Sequence, residues 1–453
     1  MTLSGQICDT IAGLRWADLP TSTRRAACHV LLDASGVILG ASGLSEEVRP
    51  FLALAKASGT GPSAVLGTGL RVPPAAAALA GGAMSHALDY EDAFDIRPGH
   101  PNASLVPALI ALAQSEGPID GPRFLTALAA GCDFACRIGV AQRQAMEVGG
   151  WYPPPIVAGL GAAVGAAKLL GLDGKGIRDA LSLALCQITM PGEIKHSPGT
   201  VIRAVRESFP AQAAVTSALL AREGVAGFEQ PLEGKDGFFA LYAGGKFDSA
   251  DLTDGLGSRF WIDHLTFKAW PSCRGTHPFI ETALTLREQH RIDPARIARI
   301  TVTCDEIQRM LVEPTARKQA PAVLIDAKFS IQFCTALALA RGRVDLDSFT
   351  PGALVDPAVL AIAAKIEAQV DPASTRHPGS GGAIEIVMED GATYHAEVHN
   401  ARGCPENPLS EAELVAKFVD CAARAQVPPK HPERLAEAIL TLPDCRDVGA
   451  LFA

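Results

Sequence analysis

From Thr21 to about Gly257, apolar residues recur at helical spacing in runs broken by glycine and proline. Clear examples are Thr23 to Leu39, Pro73 to Leu88 and Gly121 to Val140, and together they predict one large helical unit. The glycines between Val157 and Gly171 lack the spacing of a dinucleotide loop and follow no strand, so they are expected to let helices pack closely. The pattern changes after Thr266. Arg296 to Cys304 has strand character, and Ala383 to His399 reads as a hairpin turning at Asp390-Gly391. Helical stretches are expected between them, at Phe279 to His290, Ala327 to Ala340 and Pro357 to Val370. After Ser410 a capping-box pattern opens a last helical stretch, Leu414 to Ala425, expected to rejoin the first unit. The predicted fold is mainly α: a large, discontinuous all-helical domain of residues 1–265 and 400–453, and a smaller α+β domain of residues 266–399.

Composition supports this division. A chain of 453 residues exceeds what one core usually fills, so two domains are the natural expectation. Hydrophobic residues make up 48% but aromatics only 6%, so the interior must be built largely from Ala, Leu and Val, a helix-favouring mixture. The net charge of -9, with no basic stripe, excludes a nucleic-acid partner. Eleven cysteines are scattered without a CxxC pair, which fits a reducing compartment; Cys132 and Cys136 read as buried thiols. The N-terminus shows no basic start followed by an apolar core, and no later segment reads as a convincing uninterrupted membrane span. A cytoplasmic protein with no membrane partner is expected.

The stretch Ser85-His86-Ala87-Leu88-Asp89-Tyr90-Glu91-Asp92, continuing through Ile96-Arg97-Pro98-Gly99 to His100-Pro101, carries the densest titratable chemistry. A helix ending in three acids before a His-Pro loop is either a solvated terminus or a set of side chains aimed into a cleft. This stretch resembles the HxLDYDD…HP signature of the MmgE/PrpD family. Lys268-Ala-Trp-Pro-Ser-Cys-Arg-Gly-Thr-His277 is similar to that family's K-x-[YW]-P-x-C-x-x-x-H element, and Asp326-Ala-Lys-Phe-Ser330 to its [DE]-A-K-F-S element. Pro198-Gly-Thr200 and Leu232-Glu-Gly234 fall in order between them, so the resemblance covers nearly the whole chain.

The resemblance implies a helical domain built from both chain ends, an α+β domain of chorismate-mutase-like topology, and an active site between them. It also implies a small carboxylate substrate, a homodimer, and neither metal nor other cofactor. Carried over residue by residue, Asp89, His100 and Lys268 are the strongest catalytic candidates, with His86 and His277 at further family positions as substrate contacts. His100 can do either half of acid/base work; Lys268 can exchange a proton or hold a carboxylate; Asp89 can orient His100 or bind a hydroxyl; His86, one turn earlier, can brace Asp89.

The departures change chemistry. Tyr152, in Gly150-Trp151-Tyr152-Pro153, stands where many relatives have histidine, which makes it a fourth catalytic candidate. Arg203 replaces the lysine of Gly-Thr-x-x-Lys, and Arg206 a histidine three residues on; both suit gripping a carboxylate better than moving protons. Ala93 replaces a threonine, and Phe333 an aromatic hydroxyl. The leading expectation is proton transfer at carbon α to a carboxylate of a small di- or tricarboxylate, by a lyase resembling 2-methylcitrate dehydratase. The first alternative is epimerisation of an iminodisuccinate-like acid. The others are a metal-dependent hydrolase with His86, Asp89, Asp92 and His100 as ligands, or a catalytically silent binding protein.

Overall fold

A computed structural model describes every residue except Met1, Pro98, Pro198, Gly199, Thr375 and His377. Pro98 of the His-Pro stretch and Pro198-Gly199 of the motif before Thr200 therefore lie outside the described residues. The chain forms two compact units, Met1–Leu265 with Ser410–Ala453, and Thr266–Leu409.

In the first unit the Ala-rich segment after Pro73 forms the helix Pro74–Ala87, started by a proline at its first position and buried from Ala76 to Ala87. It is apolar all round, the signature of a central helix, and it packs on the helices Thr21–Leu44, Leu105–Glu116 and Ser208–Arg222. Gly82 permits the last of these contacts, since a Cβ there would stand 2.9 Å from the Ala211 Cβ. The helices Gly121–Ala141 and Pro153–Leu169 pack in the same way, Gly131 against the Gly161 carbonyl, which is the role expected of the small residues after Val157.

One correction applies to the sequence reading of this unit. It is not all-helical: β1 (Ser63–Val65) and β2 (Leu70–Val72) form an antiparallel hairpin. By length and composition Thr21–Leu44 and Gly121–Ala141 could cross a membrane, but 83% and 89% of their most apolar stretches are buried within the fold, as in core helices. The C-terminal helix Glu411–Ala423 starts at the expected capping box, with Ser410 and Glu413 bonded reciprocally, and lies on Thr21–Leu44 where Gly36 meets Phe418.

The second unit is built on a mixed sheet of order β4-β3-β5-β6, with β3 (Ile297–Cys304), β4 (Ile366–Val370), β5 (Gly382–Met388) and β6 (Thr393–Val398). β5 and β6 form the expected hairpin, closed at Asp390-Gly391, where Gly391 takes a φ of 87°. Ile297, Ile300, Val302 and Cys304 of β3 are buried, and the helix His277–His290 packs on β5 and β6.

Three elements differ from expectation. The helix predicted over Pro357 to Val370 stops at Ala363, and Ile366–Val370 is a strand parallel to β3, with Ile366 opposite Ile300. Apolar residues alternate there, but only the free edge of β3 makes that period decisive. The helix expected over Ala327 to Ala340 is broken at Phe329-Ser330; Ser330 caps the segment Ile331–Arg341 by accepting from the Phe333 N–H at 3.0 Å. Residues 400–409 stay with the sheet unit, where the Phe267 N–H donates to the Gly403 carbonyl at 3.0 Å.

Candidate active site

The central helix of the first unit ends at Ala87, and Asp89 then adopts a left-handed backbone with φ 51°. Aspartate tolerates this region better than most residues, and it turns the chain back on itself. The turn returns the Glu91 carboxylate to the helix end, against the His86 Nδ1. Asp89 itself is 3.9 Å from that nitrogen. On the far side of Glu91, the His100 Nδ1 lies 2.9 Å from the same carboxylate oxygen and 2.8 Å from the Asp92 carbonyl. The two imidazole centroids are 5.0 Å apart.

This geometry assigns protons. An Nδ1 that faces a carboxylate and a carbonyl must carry the hydrogen, so the neutral His100 ring presents an unprotonated Nε2. His86 is buried, and burial together with the Arg206 charge holds its pKa down at about 3, so it stays neutral and donates through Nδ1. Glu91 thus binds and orients both rings. His100 is the more accessible, its side chain 13% exposed, whereas His86, Asp89 and Glu91 are fully buried.

A second set of side chains stands beside the first. Arg206, fully buried, donates to the Tyr152 hydroxyl at 2.9 Å and to Glu207 at 3.1 Å, and Glu207 also accepts from Ser104 at 2.6 Å. Burial pushes the Glu207 carboxyl up, against the opposing pull of Arg206 and Ser104. Because Arg206 occupies the acceptor side of the phenol, the Tyr152 proton is free to be directed elsewhere. The guanidinium of Arg203 stands 5.8 Å from the Tyr152 ring centre. The approach of Glu207 follows from Gly82, whose missing side chain makes room for the Glu207 backbone one turn before His86.

Asp92 faces away from this cluster. It accepts from Asn102 at 2.9 Å, and burial, with Asp33 nearby, pushes its pKa up to about 8. Behind it, Lys417 of the C-terminal helix pairs with Asp33 at 2.6 Å, donates to the Tyr90 carbonyl at 2.7 Å and covers the Tyr90 ring at 3.9 Å. The loop carrying Glu91 is therefore tied down by the returning chain end.

His86, Asp89, Glu91 and His100 offer ligand atoms within 4.8 Å of one another, a spacing a divalent metal could use. The metal set read from sequence needs correcting, since Glu91 occupies the place given to Asp92. The buried positive charge of Arg206, felt by His86, opposes a second cation there, and the hydrogens on the two Nδ1 atoms already share one oxygen of the Glu91 carboxylate.

Of the candidates read from sequence, His86, Asp89 and His100 come together around Glu91, and Tyr152, Arg203 and Arg206 around the phenol. Arg206 binds protein groups rather than facing solvent. Lys268 and His277 belong to the second unit. Lys268 is fully buried, and His277 lies 3.3 Å from the Ser272 carbonyl and 3.5 Å from Arg274, with Trp270 against its ring. Ala93 and Phe333 are buried. Sequence reasoning missed Glu91 as the shared carboxylate. Its position in the acid run was the available signal, but the backbone reversal at Asp89 was not readable.

Residues 5–250 match the MmgE/PrpD N-terminal domain and residues 270–442 the MmgE/PrpD C-terminal domain. A cis-aconitate decarboxylase-like protein of Aspergillus oryzae is 26% identical over 100% of this chain and 96% of its own length. Human cis-aconitate decarboxylase is 26% identical over 84% of this chain and 79% of its own. The 2-methylcitrate dehydratase of Escherichia coli K12 is 26% identical over 84% and 83%.

Proposed function

Because the chain belongs to the MmgE/PrpD family, we propose that it is a cofactor-independent lyase that moves a proton on carbon next to a carboxylate of a small di- or tricarboxylate. The observation that carries this reading is the pinned His100, whose Nδ1 hydrogen is held by Glu91 and the Asp92 carbonyl while Nε2 remains a base. His100 takes the proton from the carbon. Arg203 holds the adjacent carboxylate and, with Arg206 behind Tyr152, supplies the fixed positive charge that an enolate-like intermediate needs. Tyr152 gives its proton to the departing hydroxyl, which leaves as water; once the product departs, His100 releases its proton to solvent and Tyr152 takes one back from it. Lys268 is proposed as a further acid, base or carboxylate anchor from the second unit.

The leading reaction is a water elimination of the kind named by the 2-methylcitrate dehydratase relatives. The presence of two proton-handling groups, His100 and Tyr152, near one cluster also supports inversion at carbon as a second reading, since inversion needs an acid and a base on opposite faces. The homodimer and the cytoplasmic location belong to the same proposal, open to light scattering and to cell fractionation. Incubation in deuterated water with citrate-like, aconitate-like and iminodisuccinate-like acids, followed by NMR, tests the chemistry. Elimination with deuterium exchange next to a carboxylate, in chelated buffer, is the expected result. Absence of exchange with every acid would overturn the proposal, and activity that returns only on adding a divalent ion would favour the hydrolase alternative.

A further inference from the structure

Three cations approach the single Tyr152 ring: Arg206 at 5.1 Å, Arg203 at 5.8 Å and Lys195 at 5.9 Å from its centre. Arg206 is neutralised by Glu207. Lys195 is different. It is half-buried, and among the described residues it forms no ion pair. The nearest acid in sequence, Glu193, accepts instead from the Ser197 hydroxyl at 2.7 Å.

The position of Lys195 is built rather than incidental. It ends the short turn Gly192–Lys195, whose first N–H donates to the Gly150 carbonyl at 2.7 Å, while the Tyr152 N–H donates to the Met190 carbonyl at 2.8 Å. A bridge between Trp151 and Pro191 completes the pairing. The segment bearing Tyr152 and the turn bearing Lys195 are thus held together by backbone hydrogen bonds. Placing a further ammonium beside two guanidinium groups is unfavourable unless an anion arrives to share them.

We propose that Lys195 binds a substrate carboxylate remote from the reacting carbon, so that it selects tricarboxylates over dicarboxylates. The inference rests on the proposed reaction, in which Arg203 holds the carboxylate next to the reacting carbon. A second negative group then meets the second cation. The residue types fit this division: the planar guanidinium favours a fixed bidentate contact, while the flexible lysine is a point charge that can follow a carboxylate at the far end of the substrate.

The test crosses two changes. Lys195→Met and Lys195→Arg are compared with the unaltered protein on a tricarboxylate that it turns over, and on the matching acid with the distal carboxylate replaced by methyl. Lys195→Met should raise KM for the tricarboxylate by about 10- to 100-fold, with kcat falling less than about threefold and the truncated acid affected less than about twofold. Lys195→Arg should restore most of the loss. Equal losses on both acids, or a fall in kcat with KM unaltered, would overturn the proposal. If the unaltered protein turns over none of the acids, the reaction reading fails separately; calorimetric titration of the same tricarboxylate into protein and Lys195→Met then decides the binding role, equal affinity refuting it.

Discussion

Glu91 is the residue on which the site's proton arrangement turns, because one carboxylate oxygen serves both His86 and His100. Replacement by glutamine keeps the shape but removes the charge, and its amide cannot accept from both rings in the same way. Glu91→Gln should therefore lower kcat by roughly 100-fold or more with little change in KM. Unaltered kcat would remove the orienting role. Asp92, whose carbonyl accepts from His100 while its carboxyl turns to Asn102, makes a prediction about stability. Its folded carboxyl keeps its proton up to about pH 8, whereas an unfolded aspartate loses it near 4, so folding binds an extra proton and stability falls as pH rises through this window. His86 acts in the opposite sense: folded, it protonates only at about 3 against about 6.5 unfolded, so its stability contribution is lost as pH falls below 6.5. Of these two groups only Asp92 acts between about pH 6.5 and 8, where it contributes a slope of about 1.4 kcal/mol per pH unit. Denaturant titrations should show that slope flattened in Asp92→Asn; parallel curves for the two proteins would refute the assignment.

At the scale of elements, the site exists because helices approach more closely than ordinary side chains permit. Gly82 brings the Ser208–Arg222 helix, and the Arg206-Glu207 pair just before it, against the end of Pro74–Ala87. A methyl group at this position meets both the Ala211 Cβ, at 2.9 Å, and the Glu207 backbone. Gly82→Ala should cost about 1–3 kcal/mol by overpacking and impair turnover as well, because the strain falls on the Arg206–Tyr152 contact. Calorimetric melting and steady-state kinetics check the two effects together; an unchanged Tm would show that the helices shift freely. The C-terminal helix has a comparable role, since Gly36 seats Phe418 and so sets Lys417 against Asp33 and Tyr90.

For the whole molecule, the candidate residues are divided between two units, so a test in one unit does not speak for the other. Lys268, fully buried in the sheet unit, is the second unit's strongest candidate. Lys268→Ala should reduce turnover by about 100-fold or more while the circular dichroism spectrum keeps its helical and sheet signals. Near-normal turnover would confine the chemistry to the first unit.

The sequence alone was sufficient for the helical texture, the β5–β6 hairpin and the capped return at Ser410, because each is dictated within a few residues by periodicity, turn chemistry or a side-chain cap. It also carried the family resemblance and most of the titratable candidates. The strand at Ile366–Val370 was not legible, since its partner β3 lies over sixty residues earlier and the edge it completes exists only after folding. The role of Glu91 was hidden for a related reason. Three acids within four residues are chemically alike in sequence, and only the reversal at Asp89 separates the one that meets the histidines from the one that turns to Asn102. Lys195 likewise became a candidate only when backbone pairing between residues 150–152 and 190–192 set it beside Tyr152. Local chemistry chose the elements, and long-range approach chose which of their charged groups share one environment.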